Sequence, residues 1–188
     1  VLLKLRLELA SCLERAGKEE DALSEYRKII KLDSVSTMAL RARFKIYQVL
    51  FKREDIDGAV SVLEEIPALV KRGSADWLNA KLFLFFVLLE YKKDLGSAEA
   101  LIEDMYRSAV NDEQKVGFLL RWAQVFDRKG NLDACVAKLE EALHIDPVSK
   151  LVLESIAPIE SKRNQTKKAE GYFLRLLQVS PGNPIARQ

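Results

Sequence analysis

Hydrophobic residues recur at helical spacing along the chain, and short polar turns interrupt this pattern at regular intervals. One such segment begins with the Gly-Asn turn at Gly130 and ends at Asp146-Pro147, a pair that stops one helix and starts another. Its hydrophobic residues lie three or four positions apart and therefore share one helix face: Leu132, Val136, Leu139 and Leu143. This segment predicts a module made of a turn, an amphipathic helix and a restart.

The same module occurs five times in the sequence. Each copy is marked by a small residue in the first turn of its second helix. These residues are Ala22, Ala59, Ala98, Cys135 and Ala169, which are 37, 39, 37 and 34 positions apart. Repeat periods of about 20 to 50 residues built from paired helices are typical of solenoid proteins, in which each repeat packs on its neighbours. The predicted modules form a single array and cover residues 1–34, 37–72, 75–110, 113–147 and 148–181.

Three segments, residues 17–33, 130–147 and 169–181, resemble the second helix and exit turn of the tetratricopeptide repeat (TPR) family. In the second and third modules, Glu54 and Lys93 stand where that family has a turn glycine, so a related class such as half-a-TPR repeats is an alternative for the middle. The resemblance implies an all-α, right-handed superhelical solenoid of about five antiparallel helix pairs. It also implies a concave groove that binds peptides.

Several stretches predict particular helices. Thr37–Lys52 and Ile56–Leu69 form the second pair, in which Pro67 bends or ends the later helix. Residues 82–89 are eight apolar residues in a row. They are too few to span a membrane, which takes about 20, and they predict a central helix buried on several sides. Pro158 predicts a kink in the helix around it.

Both ends of the chain predict a cut through a longer array. Residues 1–16 are helical from the start with no N-cap before them, and Asn183-Pro184 is a restart signal. Natural arrays close with polar capping modules, so apolar residues at the two ends predict contact with adjoining modules. These residues are Leu2, Leu5, Leu9 and Ile185.

The charge balance favours no class of partner, because 30 basic and 28 acidic residues give a net charge of only +2. Cys12 and Cys135 fall on apolar helix faces three modules apart. They are predicted to be small core residues beyond disulfide reach. Without a disulfide framework or a signal peptide, the sequence favours the cytoplasm or the nucleus, and it predicts no membrane partner.

The sequence predicts no enzyme, no cofactor and no metal site. His144 is the only histidine, and it lies beside a helix end, where the helix dipole favours an exposed imidazole. Acidic pairs such as Glu64-Glu65 are helix neighbours whose side chains point about 100° apart, so they cannot share a site. No metal-binding, phosphate-loop or nucleophile motif is present.

The resemblance assigns partner-binding positions to the concave face of the first helices. The lysines and asparagines with which this family clamps a chaperone tail are missing there, and Phe44, Phe83 and Val87 form an apolar strip instead. Apolar anchors with a charged rim fit an amphipathic or extended protein segment. The alternative is that Phe44 and Phe83 fill space between modules. The predicted groove residues are Arg41, Phe44, Lys45, Gln48, Phe51, Phe83, Val87, Leu120, Arg121 and Gln124.

A second candidate is a cationic cluster in the last inter-helix turn, with four cations in seven residues: Lys162, Arg163, Lys167 and Lys168. Such a cluster would bind phosphate or an acidic tail. The alternative is a solvated turn, since no aromatic residues alternate with these cations.

These features predict a non-catalytic protein–protein interaction scaffold or adaptor within a multiprotein complex. The expected partner is a protein or peptide segment, amphipathic and flanked by acidic residues, held in the concave groove. The alternative is an RNA-associated helical-repeat protein of an RNA-processing complex, because related helical repeats hold RNA.

Overall fold

The computed structural model of the chain describes residues 1–184, in which every regular element is helical and no strand occurs. Ile185 lies outside the described residues. The chain divides into two compact units, unit 1 (Val1–Lys92) and unit 2 (Lys93–Gln188). The helices of unit 1 are α1 (Leu2–Arg15), α2 (Glu19–Leu32), α3 (Thr37–Lys52), α4 (Ile56–Glu65) and α5 (Ala75–Val87), with a 3-10 turn at Ile66–Ala68 and a π-helical turn at Leu88–Lys92. Unit 2 contains α6 (Leu95–Arg107), α7 (Asp112–Arg128), α8 (Leu132–Ile145), α9 (Lys150–Lys162) and α10 (Thr166–Val179).

One backbone turn recurs at the start of the second helix in every module. A residue with left-handed φ occupies it each time, namely Gly17 (75°), Glu54 (61°), Lys93 (55°), Gly130 (72°) and Asn164 (59°). In unit 1 the next N–H closes the turn onto the carbonyl five residues earlier, from Lys18 to Leu13 at 2.9 Å and from Asp55 to Leu50 at 3.0 Å. The turns after Gly130 and Asn164 have the same bond. Glu54 and Lys93 therefore adopt the conformation of the glycine that the pattern expects there.

Side-chain caps fix where several helices begin. The side chains of Ser36, Asp55 and Ser74 each accept a hydrogen bond from the backbone N–H three residues later. At the start of α7, the side chain of Asn111 accepts from the N–H of Gln114 at 2.8 Å, and the Gln114 side chain accepts from the Val110 N–H at 3.0 Å. These bonds satisfy N–H groups that a helix N-terminus leaves without partners.

The module exits differ as the sequence indicates. Asp33 and Asp146 both adopt an extended conformation after their helices. Each carboxylate accepts a backbone N–H two residues later, at 3.2 Å. In the second module, α4 ends at Glu65 and a 3-10 turn containing Pro67 follows. The expected effect of Pro67 is confirmed.

The core of unit 1 is apolar, with polar contacts at its edge. Tyr26 is fully buried, and its hydroxyl donates to Glu14 Oε2 at 2.8 Å. Arg43 is 5% exposed; its Nε donates to Glu65 Oε2 and its Nη1 to the Ser34 carbonyl, both at 2.8 Å. The indole of Trp77 is buried, with Lys81 Nζ 5.2 Å from its centroid.

The core of unit 2 lies between α7, α8, α9 and α10. Its fully or nearly fully buried residues include Leu119, Leu139, Val152, Leu153, Ile156 and Leu176. Trp122 lies at the edge of this core, with Lys138 Nζ 4.1 Å from its ring centroid. Pro158 lies inside α9, and the helix continues on both sides of it. Because proline has no N–H, the Glu154 carbonyl lacks its usual helical donor.

Two sequence-based expectations about individual groups have different outcomes. Cys135 is buried, as predicted, whereas Cys12 is exposed and the prediction of a core position for it is wrong. Only Leu7 and Ala10 of α1 are buried. The part of α1 that packs against the rest of unit 1 is therefore narrow, and Cys12 lies outside it. No helix within residues 1–184 is long and apolar enough to cross a membrane.

Candidate functional site

Six aromatic rings form one connected network in unit 1, which we call the aromatic surface. Three rings come from α3, two from α5 and one from the π-helical turn: Phe44, Tyr47, Phe51, Phe83, Phe86 and Tyr91. The ring of Phe83 lies 6.4 Å from that of Phe44 and 5.0 Å from that of Tyr47. The ring of Phe51 lies 5.7 Å from Tyr47, 6.2 Å from Phe86 and 5.0 Å from Tyr91.

Much of this network is open to solvent. Phe83 is 39% exposed, Phe86 44% and Tyr91 49%, whereas Tyr47 is buried beneath them. Burial raises the pKa of the Tyr47 hydroxyl, with a smaller contribution from the charge of Tyr91. The prediction that residues 82–89 are buried on several sides is therefore wrong for Phe83 and Phe86. The side of a helix that faces solvent is normally recognised from its polar residues, and residues 82–89 contain none.

The cations at the edge of this surface fall into two groups. Lys45 Nζ lies 3.5 Å from Glu14 Oε2, and Lys52 Nζ lies 2.8 Å from Glu19 Oε1. Arg41 is exposed and has no hydrogen-bond or ion-pair partner among the described residues. Of the charged groups predicted for this rim of unit 1, the guanidinium of Arg41 is therefore the one most available to a partner.

Two predicted groove positions in unit 1 have opposite environments. Gln48 is exposed on α3. Val87 is fully buried, so its side chain offers no surface to a partner, and we leave it out of the aromatic surface.

Phe44 and Phe83 contact each other while Phe83 stays partly exposed. Phe83 can therefore both fill space within unit 1 and present a ring to a partner.

The remaining predicted groove residues belong to α7 in unit 2. Gln124 is exposed and Leu120 is half-buried. Arg121 Nη1 donates to the Gly117 carbonyl at 2.9 Å, and burial lowers the pKa of the Arg121 guanidinium. Leu120 and Gln124 line a cavity between α7 and α9.

The cationic cluster of the last inter-helix turn is largely engaged in ion pairs. Arg163 Nη1 lies 2.7 Å from Glu160 Oε2. Lys162 Nζ lies 3.4 Å from Asp127 Oδ1, and Lys168 Nζ lies 3.8 Å from Glu160 Oε1. Lys167 is exposed without a partner among the described residues. Arg163 Nη2 also lies 2.5 Å from Asp133 Oδ1. An anionic ligand would have to compete with the carboxylates of Glu160, Asp127 and Asp133 here, so this site stays a prediction.

A groove between α7 and α9 in unit 2 has a different chemistry, and we call it the acidic groove. It consists of two adjoining cavities of about 480 and 240 Å³ that share Leu120. The larger cavity is lined by Asp112, Glu113, Val116, Gly117, Leu120, Asp146, Ser149 and Leu151. The smaller is lined by Leu120, Ala123, Gln124, Asp127, Cys135, Leu139, Glu154, Ser155, Pro158 and Ile159.

Sequence reasoning missed Phe86 and Tyr91 on the aromatic surface and Glu113, Asp146 and Leu151 in the acidic groove. Tyr91 follows Phe86 by five residues, a separation that does not share a face in a regular α-helix. Glu113 and Asp146 have ordinary positions at a helix start and in an exit turn, so nothing in the sequence separates them from capping residues. No group of His, Cys, Asp and Glu within residues 1–184 is suited to hold a metal ion.

No protein-family model and no curated protein sequence matches this chain. Solved structures do match it. MamA (41-end) from Desulfovibrio magneticus RS-1 is 17% identical, with a TM-score of 0.69 over 97% of both chains. YrrB, described as a TPR protein with an unusual peptide-binding site, is 17% identical, with a TM-score of 0.63 over 97% of this chain and 88% of that one.

A putative kinesin light chain of Podosopora anserina with nearly identical TPR-like repeats is 14% identical, with a TM-score of 0.67 over 94% of both chains. At such identities the likeness concerns the fold alone. The chain has an all-α, TPR-like helical-repeat fold, as the sequence predicted.

Proposed function

We propose that this chain is a non-catalytic interaction scaffold that binds a segment of a partner protein on the aromatic surface of unit 1. The observation that carries the proposal is the exposure of Phe83, Phe86 and Tyr91, at 39, 44 and 49%, within one connected ring network. Soluble proteins rarely keep large adjoining apolar groups in water without use, and exposed aromatic clusters mark interaction sites. Aromatic side chains are also the ones that most often dominate binding energy.

The chemistry of the surface favours a protein segment over a small polar ligand. The rings offer broad apolar area at low entropic cost because each has few rotatable bonds and is held by its neighbours. Arg41 supplies a free positive charge beside them. A segment with apolar anchors and acidic flanks matches both features, the rings through burial and Arg41 through steering and selectivity.

The comparison with YrrB supports this class of function, because that protein has the same fold and is described as having a peptide-binding site. Leu120, Arg121 and Gln124 of α7, which the resemblance also assigned to partner binding, belong to unit 2 and are not part of this proposal. Membership of a multiprotein complex in the cytoplasm or nucleus is part of the same proposal.

The test is to select binding peptides from a displayed library and measure their affinity for variants of the whole chain. Phe86→Ala is expected to weaken binding about tenfold at all salt concentrations, because an exposed ring is lost without emptying the core. Arg41→Ala is expected to weaken binding mainly at low salt. Leu174→Ala, at a 55% exposed leucine of α10, is the matched control and is expected to change nothing.

Two results would contradict the proposal. In the first, Phe86→Ala keeps full affinity while Lys167→Ala loses it, which moves the site to the cationic cluster. In the second, the chain shifts RNA in a gel with a steep loss of affinity as salt rises, and no peptide is selected. That outcome favours the RNA-associated alternative.

A further inference from the structure

We propose that the acidic groove of unit 2 binds a second class of protein segment, in which lysine or arginine lies beside an apolar side chain. This inference goes beyond the proposed function, and it rests on residues of unit 2 alone, from α7, α8, α9 and the turn between α8 and α9. It therefore stands or falls independently of the aromatic surface.

The floor of the larger cavity is apolar and open. Val116 is buried, Leu120 is half-buried, and Leu151 is 64% exposed. Gly117 lies between Val116 and Leu120 in the lining and has no side chain to fill the cavity. The volume of about 480 Å³ accommodates at least one large side chain of a partner. Burial of Leu151 by that side chain would supply affinity.

Five carboxylates line the two cavities, and no lysine, arginine or histidine does so among the described residues. Three of these carboxylates already have a lysine partner: Asp112 with Lys115, Asp127 with Lys162, and Glu154 with Lys150. Glu113 and Asp146 have no cation within ion-pair distance in the part of the chain that the structure describes. Both line the larger cavity together with Leu151.

The helix dipole does not reverse the sign of this field. The N-termini of α7 and α9 each contribute about half a positive elementary charge, and the C-terminus of α8 beside Asp146 contributes about half a negative one. Asp112, Glu113 and Asp146 bring three negative charges to the same cavity. Lys115, which pairs with Asp112, and Arg121, whose Nη1 donates to the Gly117 carbonyl, bring two positive charges. The negative charges outweigh the positive ones, so the larger cavity favours cationic over anionic segments.

The test measures binding of two peptides to the whole chain. The first is an amphipathic peptide with blocked ends, made only of leucine and lysine at helical spacing. The second is its charge-reversed control, in which glutamate replaces every lysine. The lysine peptide is expected to bind and the glutamate peptide is not. The double variant Glu113→Gln, Asp146→Asn is expected to weaken the lysine peptide about three- to tenfold and to flatten its salt dependence. Asparagine keeps the acceptor that Asp146 offers to the Val148 N–H at 3.2 Å, so the turn is retained.

Control variants outside the acidic groove distinguish binding at the groove from non-specific charge attraction to the whole chain. Glu170→Gln removes one exposed charge of α10 and is expected to leave affinity unchanged. Leu151→Ala is expected to weaken binding about threefold or more, whereas Leu174→Ala, at a leucine of similar exposure, is not. All of these residues are at the surface except partly buried Asp146, and melting temperatures check that each variant is folded.

Three results would overturn the proposal. Equal weakening by Glu170→Gln shows non-specific charge attraction. Equal binding of the glutamate peptide removes the charge argument. A dimer in sedimentation that Leu151→Ala dissociates shows that a second copy of this chain occupies the groove instead. The peptides selected for the aromatic surface are tested separately. If Phe86→Ala does not weaken their binding, the proposed function is wrong, but the result for the lysine peptide at the acidic groove is unaffected.

Discussion

The ring of Tyr91 lies 5.6 Å from the ring of Phe86, five residues earlier in the chain. Residues five apart do not share a face in an α-helix. Here Phe86 belongs to α5 and Tyr91 to the π-helical turn that follows it, whose wider winding carries Tyr91 beside Phe86. The π-helical turn thereby completes the exposed end of the aromatic surface.

A double-mutant cycle measures this relationship. Phe86→Ala and Tyr91→Ala are each expected to cost little stability, because both rings are about half exposed. Their coupling free energy is expected to be about 0.5 to 1.5 kcal/mol, the range of an edge-on aromatic pair. Urea unfolding of the two single variants and the double variant gives the value. Additive effects would show that the rings do not interact in solution.

Glu54→Gly is expected to stabilise unit 1. A non-glycine residue at positive φ costs about 1 to 2 kcal/mol of stability, and glycine removes this strain. Glycine itself loses more backbone entropy on folding, which costs about 0.5 to 1 kcal/mol. A gain of about 0.5 to 1 kcal/mol in the free energy of unfolding follows. The matched control is Gly130→Ala, which places a Cβ in open space at φ 72° and should lose stability through the backbone alone. A loss on Glu54→Gly would mean that the glutamate side chain stabilises the turn.

Leu139→Ala is expected to cost about 2 to 5 kcal/mol, since Leu139 is 1% exposed in the core of unit 2. The core around Leu139 is formed by residues of α7, α8, α9 and α10. Hydrogen exchange should therefore accelerate first in α7 to α10. Uniform acceleration from α1 to α10 would argue against local coupling.

The stability of unit 1 is expected to fall at high pH through Tyr26. Burial raises the pKa of Tyr26 from 10.0 to about 12, and its hydrogen bond to Glu14 adds to the shift. The unfolded chain then releases this proton first, so the stabilisation is present below pH 10 and is lost as the pH rises through about 12. The loss amounts to about 3 kcal/mol once the hydroxyl is ionised in both states. Tyr26→Phe, compared with the original chain across this range, should lack that component.

The two cysteines are expected to react at very different rates with a thiol reagent. Cys12 is exposed, with Arg15 Nη2 3.3 Å from its sulfur. Cys135 is 2% exposed, and burial raises its pKa to about 11, so little thiolate forms at neutral pH. One thiol per chain should react rapidly in the native protein and the second only after unfolding. Cys12→Ser identifies the fast one, and two fast thiols would contradict the buried position of Cys135.

The sequence predicted the helices well because their signals are local. Thr37–Lys52 is observed with the predicted bounds, and Pro67 ends its helix through the missing N–H. The turn positions of Glu54 and Lys93 followed from spacing alone, although neither residue favours positive φ. Periodicity therefore carried more information there than residue type did.

The site was less predictable because its features depend on distant parts of the chain. Lys162 and Asp127 pair across 35 positions, so the sequence could not show that the cationic cluster is largely neutralised. The exposure of Phe86 depends on which helices fail to cover it, and the position of Tyr91 depends on a π-helical turn that no residue type signals. Spacing rules apply only to helices of regular winding.

The positions of the two tryptophans give each unit its own optical probe. Trp77 lies in unit 1 near Lys81, and Trp122 lies in unit 2 beside the ammonium group of Lys138. Indole emission responds to the polarity and charge around the ring, so the two residues should differ in fluorescence. In a Trp77→Phe chain the remaining signal comes from unit 2, and in a Trp122→Phe chain it comes from unit 1. The unfolding of each unit, and ligand binding near it, can thus be followed by intrinsic fluorescence without attaching a dye.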